Sequence, residues 1–161
     1  MNAEVSMKST KASLSIVQIV DEPYGGDMMS TPRTQTYSYH RDLSIPFKAA
    51  VERIYLTLKD QGFGVLTEID LKDKFKEKLN VDFQNYVILG ACNPLIAYQS
   101  LQEEKDLGLL LPCNVIVYES DGGSVVAAID AQSMLSVTNN DKLVGAAADI
   151  NERLRKAIDA V

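Results

Sequence analysis

A run of seven residues, 86–92 (Tyr-Val-Ile-Leu-Gly-Ala-Cys), limits most strongly how this chain can fold. It is almost wholly apolar, which is typical of an inner strand with both faces covered. The next two residues, Asn93 and Pro94, predict an immediate helix start, with asparagine as the N-cap and proline at the first helical position, where its missing N–H costs nothing. The chain must therefore build a sheet around this strand and leave it through a helix, which we expect to run to about Gly108.

Two long amphipathic patterns and several short strands complete the prediction. Apolar residues at helical spacing in 47–58, with Ser44 as cap and Gly62 as stop, predict one helix. A stronger apolar stripe in 143–161 predicts a second helix at the end of the chain. The remaining predicted elements are strands at 34–43, 63–69, 114–119 and 124–130, the last two joined as a hairpin by an Asp-Gly turn, and a short charged helix at 71–79.

This order of elements predicts an α+β fold. We expect a mixed, largely antiparallel sheet packed by two long amphipathic helices, with a helix inserted between the two central strands. A length of 161 residues and an apolar content of 46% suit one domain that needs no disulfide or metal for stability. We assign this domain to residues 34–161 and treat 1–33 as an N-terminal arm with the pattern for one extra strand.

Charge and composition argue against several classes of protein. The net charge of −6 and the pI of about 4.8 disfavour nucleic-acid binding, because phosphate recognition needs clustered lysines and arginines. The apolar run at 14–20 is too short for a membrane span, and no small-residue cleavage site follows it. With only two cysteines in the chain, we expect a cytoplasmic protein with free thiols.

The two cysteines, Cys92 and Cys113, are the main candidates for chemistry. Each adjoins a proline motif at the end of a predicted strand. Cys92 precedes a helix N-terminus, whose dipole is expected to lower the pKa of its thiol. The two sulfurs share one end of the sheet only if their strands run antiparallel. The alternative for each cysteine is a buried residue that acts as a small hydrophobe.

Four further residues are candidate ligand contacts: Asn93, Pro94, Pro112 and Glu68. A Glu68 carboxylate near a thiol would be able to move its proton, although a solvent-facing strand position is the alternative. We expect no metal and no cofactor. Zinc and iron–sulfur sites use three or four Cys or His ligands, whereas this chain has two cysteines and one histidine, His40. Hydrolase and nucleotide-binding motifs are also missing from the sequence.

Three short motifs together resemble the domain of unknown function 302 family. They are residues 62–65 (Gly-Phe-Gly-Val), 91–94 (Ala-Cys-Asn-Pro) and 110–113 (Leu-Leu-Pro-Cys), and the resemblance covers about residues 34–161. It implies a β-α-β(4)-α domain related to the TATA-binding-protein-like fold, and a homodimer, but no activity. A role in DNA binding does not follow from the name of the fold, because the chain is acidic.

Three functions fit these residues, and the sequence leaves open whether the protein is an enzyme. The first is a small dimeric domain that binds an apolar or thiol-reactive ligand near Cys92 and Cys113. The second is a thiol-based redox or sulfur-transfer protein, with Cys92 as nucleophile and Cys113 as resolving partner. The third is an assembly module without a ligand. The placement of the two sulfurs, and of any cavity beside them, distinguishes these hypotheses.

Overall fold

The computed structural model describes residues 36–161, which form a five-stranded sheet and five helices. The strand order is β1-β5-β4-β3-β2, and every neighbouring pair is antiparallel. The strands are β1 (Ser38–Leu43), β2 (Gly64–Asp70), β3 (Tyr86–Cys92), β4 (Cys113–Ser120) and β5 (Gly123–Ile129). The helices are α1 (Phe47–Asp60), α2 (Leu71–Leu79), α3 (Pro94–Glu103), α4 (Ala131–Leu135) and α5 (Val144–Asp159).

The α+β prediction is confirmed, and α3 is the helix inserted between neighbouring inner strands β3 and β4. We expected a mixed, largely antiparallel sheet. Among the described residues, every pair of neighbouring strands is antiparallel. The main elements follow the order β-α-β(4)-α, as the family resemblance implies. The predicted extra strand of the N-terminal arm lies outside the described residues.

Helices α1 and α5 pack on one face of the sheet and form the main core with it. Side chains alternate between the two faces of a strand, so Leu89 of β3 and Val115 of β4 point toward the helices. Both are fully buried, as are Leu58 of α1 and Ile158 of α5. The core therefore lies between one helical layer and one sheet face.

Aromatic side chains partly cover the opposite face of the sheet. Tyr86 and Tyr118 lie opposite each other on β3 and β4, and their rings stack with centroids 5.4 Å apart. Phe83 contacts Tyr86 with centroids 6.1 Å apart. Ile88, which shares this face, is half-buried. The prediction that β3 is covered on both faces is therefore confirmed on the helix-facing side, and the other face is covered in part, with no residue of β3 exposed there.

Capping chemistry sets the start of α3 but not the start of α1. The Asn93 Oδ1 accepts a hydrogen bond from the Ile96 N–H at 3.2 Å, which confirms the predicted N-cap. Helix α1 instead begins after Pro46 with no side-chain cap bond, so the prediction of a Ser44 cap is wrong. A proline disfavours helical geometry in the residue before it, here Ile45, and this moves the helix start past the serine.

Helix α3, which begins the connection from β3 to β4, is shorter than the sequence predicts. Helix α3 ends at Glu103 rather than near Gly108, because Glu104 is extended (φ −152°, ψ 109°). A 3-10 segment, Lys105–Leu110, then leads the chain back to the sheet. It inserts Leu107, which is buried, into a second apolar cluster with residues of α4 and α5. The chain then enters β4, which runs antiparallel to β3.

Candidate ligand site at the cysteine end of the sheet

The three sequence motifs meet at one end of the sheet, which we call the cysteine end (residues 62–65, 91–94 and 110–113). Strand β3 finishes at Cys92 and β4 starts at Cys113, with Ala91 directly opposite Cys113. Gly64, the first residue of β2, lies opposite Cys92. The antiparallel arrangement that the shared-end hypothesis required is therefore present.

Gly62 of the first motif lies close to Asn93 of the second motif. Gly62 terminates α1 in a left-handed conformation, with φ of +82°, which favours glycine. A Cβ atom on this residue would lie 3.0 Å from the Asn93 Nδ2. The absence of a side chain at Gly62 therefore leaves room for the residue that caps α3.

A second glycine, Gly90, directly precedes the second motif and contacts the third. A Cβ atom on Gly90 would lie 2.6 Å from the Pro112 Cγ and would also overlap the Thr67 hydroxyl. The proline, which follows a cis peptide bond with Leu111, thus lies directly against the backbone of β3. Because Gly90 has no side chain, Pro112 packs closely against β3, and this contact positions the segment that leads into Cys113.

We predict that Gly90→Ala lowers the free energy of unfolding by about 1–3 kcal/mol, because the added methyl group overpacks this contact. The matched control is Gly64→Ala on the adjacent strand, where an added Cβ would meet nothing within 4 Å. Urea denaturation of both variants measures the difference. Equal midpoints for the two variants would show that the contact between β3 and Pro112 is not tight.

Both cysteines are free thiols, but their positions are offset by one residue. Cys113 is 3% exposed and Cys92 is half-buried. Because Cys113 lies opposite Ala91, the Cα atoms of the two cysteines are roughly 6 Å apart, from the usual strand spacing and rise. In regular strands such an offset turns the two Cβ atoms toward opposite faces of the pleat. A direct disulfide also requires the Cβ atoms to approach, so this register opposes one.

Burial controls the ionisation of both thiols. It raises the pKa of Cys92, so the predicted lowering by the helix dipole is wrong. Burial raises the pKa of Cys113 to about 11, and the negative charge of a Cys92 thiolate adds to the shift. Burial disfavours the charged thiolate relative to the neutral thiol, which gives both shifts their direction. Both groups are therefore protonated near neutral pH, unlike an activated nucleophile.

A small inner cavity lies beside the two cysteines. It has a volume of about 20 Å³, and both cysteines and Asn93 are among the residues that line it. Phe63 of the first motif forms another wall, and Ser100, which is buried in α3, adds a hydroxyl-bearing residue. This volume is enough for one group the size of a water molecule.

A larger outer groove adjoins the inner cavity. Its volume is about 280 Å³, and Leu111 and Met134 line both spaces. Asn114 is the polar residue of the groove, and its remaining walls are apolar. Those apolar walls are formed by Leu109, Leu110, Leu111, Pro112, Ile129 and Met134.

The structure brings four of the six predicted site residues to these spaces. Cys92, Cys113 and Asn93 line the inner cavity, and Pro112 lines the outer groove. Pro94 is exposed on the first turn of α3 and lies in the wall of neither space.

Glu68 lies away from the thiols. It is four residues along β2 from Gly64, or roughly 12 Å from the cysteine end at the usual rise per residue. Its carboxylate accepts a hydrogen bond from the Tyr55 hydroxyl. Glu68 is therefore placed to hold α1 against β2 rather than to receive a proton from either cysteine.

Sequence reasoning missed the residues that form most of the groove, namely Leu109, Leu111, Asn114 and Met134. The apolar run at 109–111 was a usable signal, since Leu109 is 88% exposed in the structure and the run lies outside the strand. Met134 carries no comparable signal, because helix α4 reaches the groove only through the tertiary fold. Among residues 36–161, no group of His, Cys, Asp and Glu is arranged to hold a metal ion.

These features define a class of small α+β domain, with an antiparallel five-stranded sheet, one helical layer and a thiol-lined end. The family model of the domain of unknown function DUF302 matches residues 39–161, and the chain belongs to that family. A solved structure of an uncharacterized conserved DUF302 protein from Bacillus stearothermophilus is similar, with a TM-score of 0.73 and 33% sequence identity. The match covers 78% of this chain and 98% of that one. The search of curated proteins returned no match.

Within residues 36–161, no helix has both the length and the apolar character needed to cross a membrane.

Proposed function

We propose that the protein binds a small, mainly apolar ligand in the outer groove at the cysteine end. The observation that carries this proposal is the convergence of all three family motifs on the walls of two adjoining cavities. The groove, at about 280 Å³, lies near the lower end of ligand-pocket volumes, roughly 300 Å³. It therefore suits a ligand of a few carbon atoms rather than a large cofactor.

The chemistry of the walls supports an apolar body with one polar group. Leucine, proline, isoleucine and methionine side chains offer contact area but no strong hydrogen bonds. Asn114 is exposed at the groove and offers both a donor and an acceptor. Burying each methylene contributes about 0.8 kcal/mol, so a ligand of about six carbons would bind with a dissociation constant on the order of 1 mM.

Thiol redox or sulfur-transfer chemistry has weaker support. The pKa of each thiol is raised, and the register places the two Cβ atoms on opposite faces of the sheet. Under our proposal, Cys92 and Cys113 are wall residues of the inner cavity. The homodimer implied by the family resemblance and the cytoplasmic location stay predictions.

We expect Leu109→Asp to weaken binding of 1-hexanol by about tenfold or more. A carboxylate in the groove wall would have to lose water when the alkyl chain binds, which disfavours the complex. The matched control is Leu95→Asp on α3, since Leu95 is also exposed and lies outside both cavities. NMR titration gives the three dissociation constants. Wild-type affinity in both variants would contradict the assignment of the groove.

A further inference from the structure

We infer that the inner cavity and the outer groove are two parts of one channel, and that its ligand is an unbranched aliphatic chain whose end reaches Cys113. Leu111 and Met134 form the divider between the two parts. The inference deepens the proposed function and rests on it. It adds the direction in which the ligand lies, the shape of its apolar part and the residues that limit its length.

The divider is defined by residues that the two spaces share. Leu111 and Met134 line the inner cavity on one side and the outer groove on the other. The next residue after Leu111 is Pro112, which lies against Gly90, so this half of the divider is held by the sheet. Leu111 is thus the fixed half.

Met134 is the movable half of the divider. It is half-buried and packs against both apolar clusters, at the point where they meet. A methionine side chain has three rotatable bonds and adapts to irregular spaces more readily than a branched side chain. A change of its rotamer would open the groove into the inner cavity, giving one space of roughly 300 Å³, a volume typical of small-ligand sites.

The two ends of the channel differ in polarity and width. The inner end has a volume of about 20 Å³ and includes the walls Phe63, Ile96 and Cys113. A slender group such as the methyl end of an alkyl chain fits there, against mainly apolar walls that also include Asn93 and Ser100. The outer end has Asn114, which is exposed and suits a hydroxyl or carbonyl head group. An unbranched chain with a polar head meets both requirements, whereas a branched or aromatic body does not pass the divider.

Chain-length dependence tests this arrangement. In the wild type, affinity should rise about fourfold for each methylene added from 1-butanol to 1-octanol, in line with the free energy of burying a methylene. In Met134→Phe, a bulkier and less flexible divider should stop the rise at a shorter alcohol. Val137→Ala is the matched control, because Val137 follows α4 and is 68% exposed outside both spaces. It should retain the wild-type dependence.

A second measurement needs no variant and applies even if Met134→Phe fails to fold. Saturating 1-octanol should slow alkylation of Cys113 by iodoacetamide at pH 9 at least fivefold, whereas 1-butanol, which is too short to pass the divider, should not. Peptide mass spectrometry follows the two cysteines separately.

The possible failures are distinguishable. If 1-butanol and 1-hexanol shift the amide resonances of Leu110 and Asn114 but 1-octanol leaves Cys113 unprotected, the channel is overturned and the groove stands. An unchanged length dependence in folded Met134→Phe likewise overturns the divider alone. If no alcohol binds the wild type, the groove and the channel are both overturned.

Discussion

Replacing Phe63 with alanine is expected to lower the free energy of unfolding by about 3–5 kcal/mol, the usual cost of removing a buried aromatic ring. Phe63 is 4% exposed, belongs to the main core and lines the inner cavity. It also follows Gly62, which turns the chain out of α1. The ring therefore links the helical core to the cysteine end, and its loss leaves a void that neighbouring groups cannot fully fill. Urea denaturation measures the change.

Phe83→Ala is the matched control for this substitution. Phe83 is 39% exposed and makes ring contacts with Phe75 of α2 and with Tyr86, on the side of the sheet opposite α1 and α5. Its replacement should cost about 1–3 kcal/mol, the scale of two aromatic pairs. If the Phe63 and Phe83 variants lose equal stability, Phe63 does not join the core to the site.

Cys113 is expected to react with iodoacetamide about 100-fold more slowly in the native protein at pH 8 than in the denatured chain. Its pKa of about 11, against a reference of 9.0, lowers the reactive thiolate fraction by roughly that factor. The rate should continue to rise with pH up to about 11. Peptide mass spectrometry of samples quenched over time, with urea-denatured protein as reference, gives the rates. Equal native and denatured rates at pH 8 would contradict the burial of this thiol.

The same pKa shift predicts how stability depends on pH. The folded state favours the protonated thiol, so its contribution is complete below about pH 9 and is lost as the pH rises through about 11. The loss amounts to at most about 2–3 kcal/mol, from a shift of about two units. Cys113→Ala has no thiol to ionise and should lose less stability over this range than the wild type.

Local signals in the sequence predicted the parts of the fold that depend on adjacent residues. The apolar run that ends at Cys92 matches β3 in both bounds, and Asn93 caps α3 as predicted. Ser44 failed as a cap because Pro46 changes the backbone that precedes α1. The capping preference of a residue type therefore has predictive value only when the neighbouring residues permit helical geometry.

The properties of the site depend on distances that the sequence does not contain. The antiparallel pairing that brings Cys92 and Cys113 to one end of the sheet was one of two possibilities, and the pairing of β3 with β4 in the fold decides between them. The one-residue offset between the cysteines follows from the register of β3 and β4. Met134 reaches the groove from a different part of the chain. The direction of the Cys92 pKa shift depends on burial, which follows from the tertiary fold.

The most direct test of ligand binding at the cysteine end is a two-dimensional NMR titration of the ¹⁵N-labelled protein with 1-hexanol. We expect saturable shifts of the amides that surround the groove, those of Leu110, Leu111, Asn114, Ile129 and Met134. The amides of Tyr86 and Tyr118, at the opposite end of β3 and β4 from the cysteines, should stay unchanged. Shifts confined to those tyrosines, or shifts that grow linearly without saturation, would contradict a ligand site at the cysteine end.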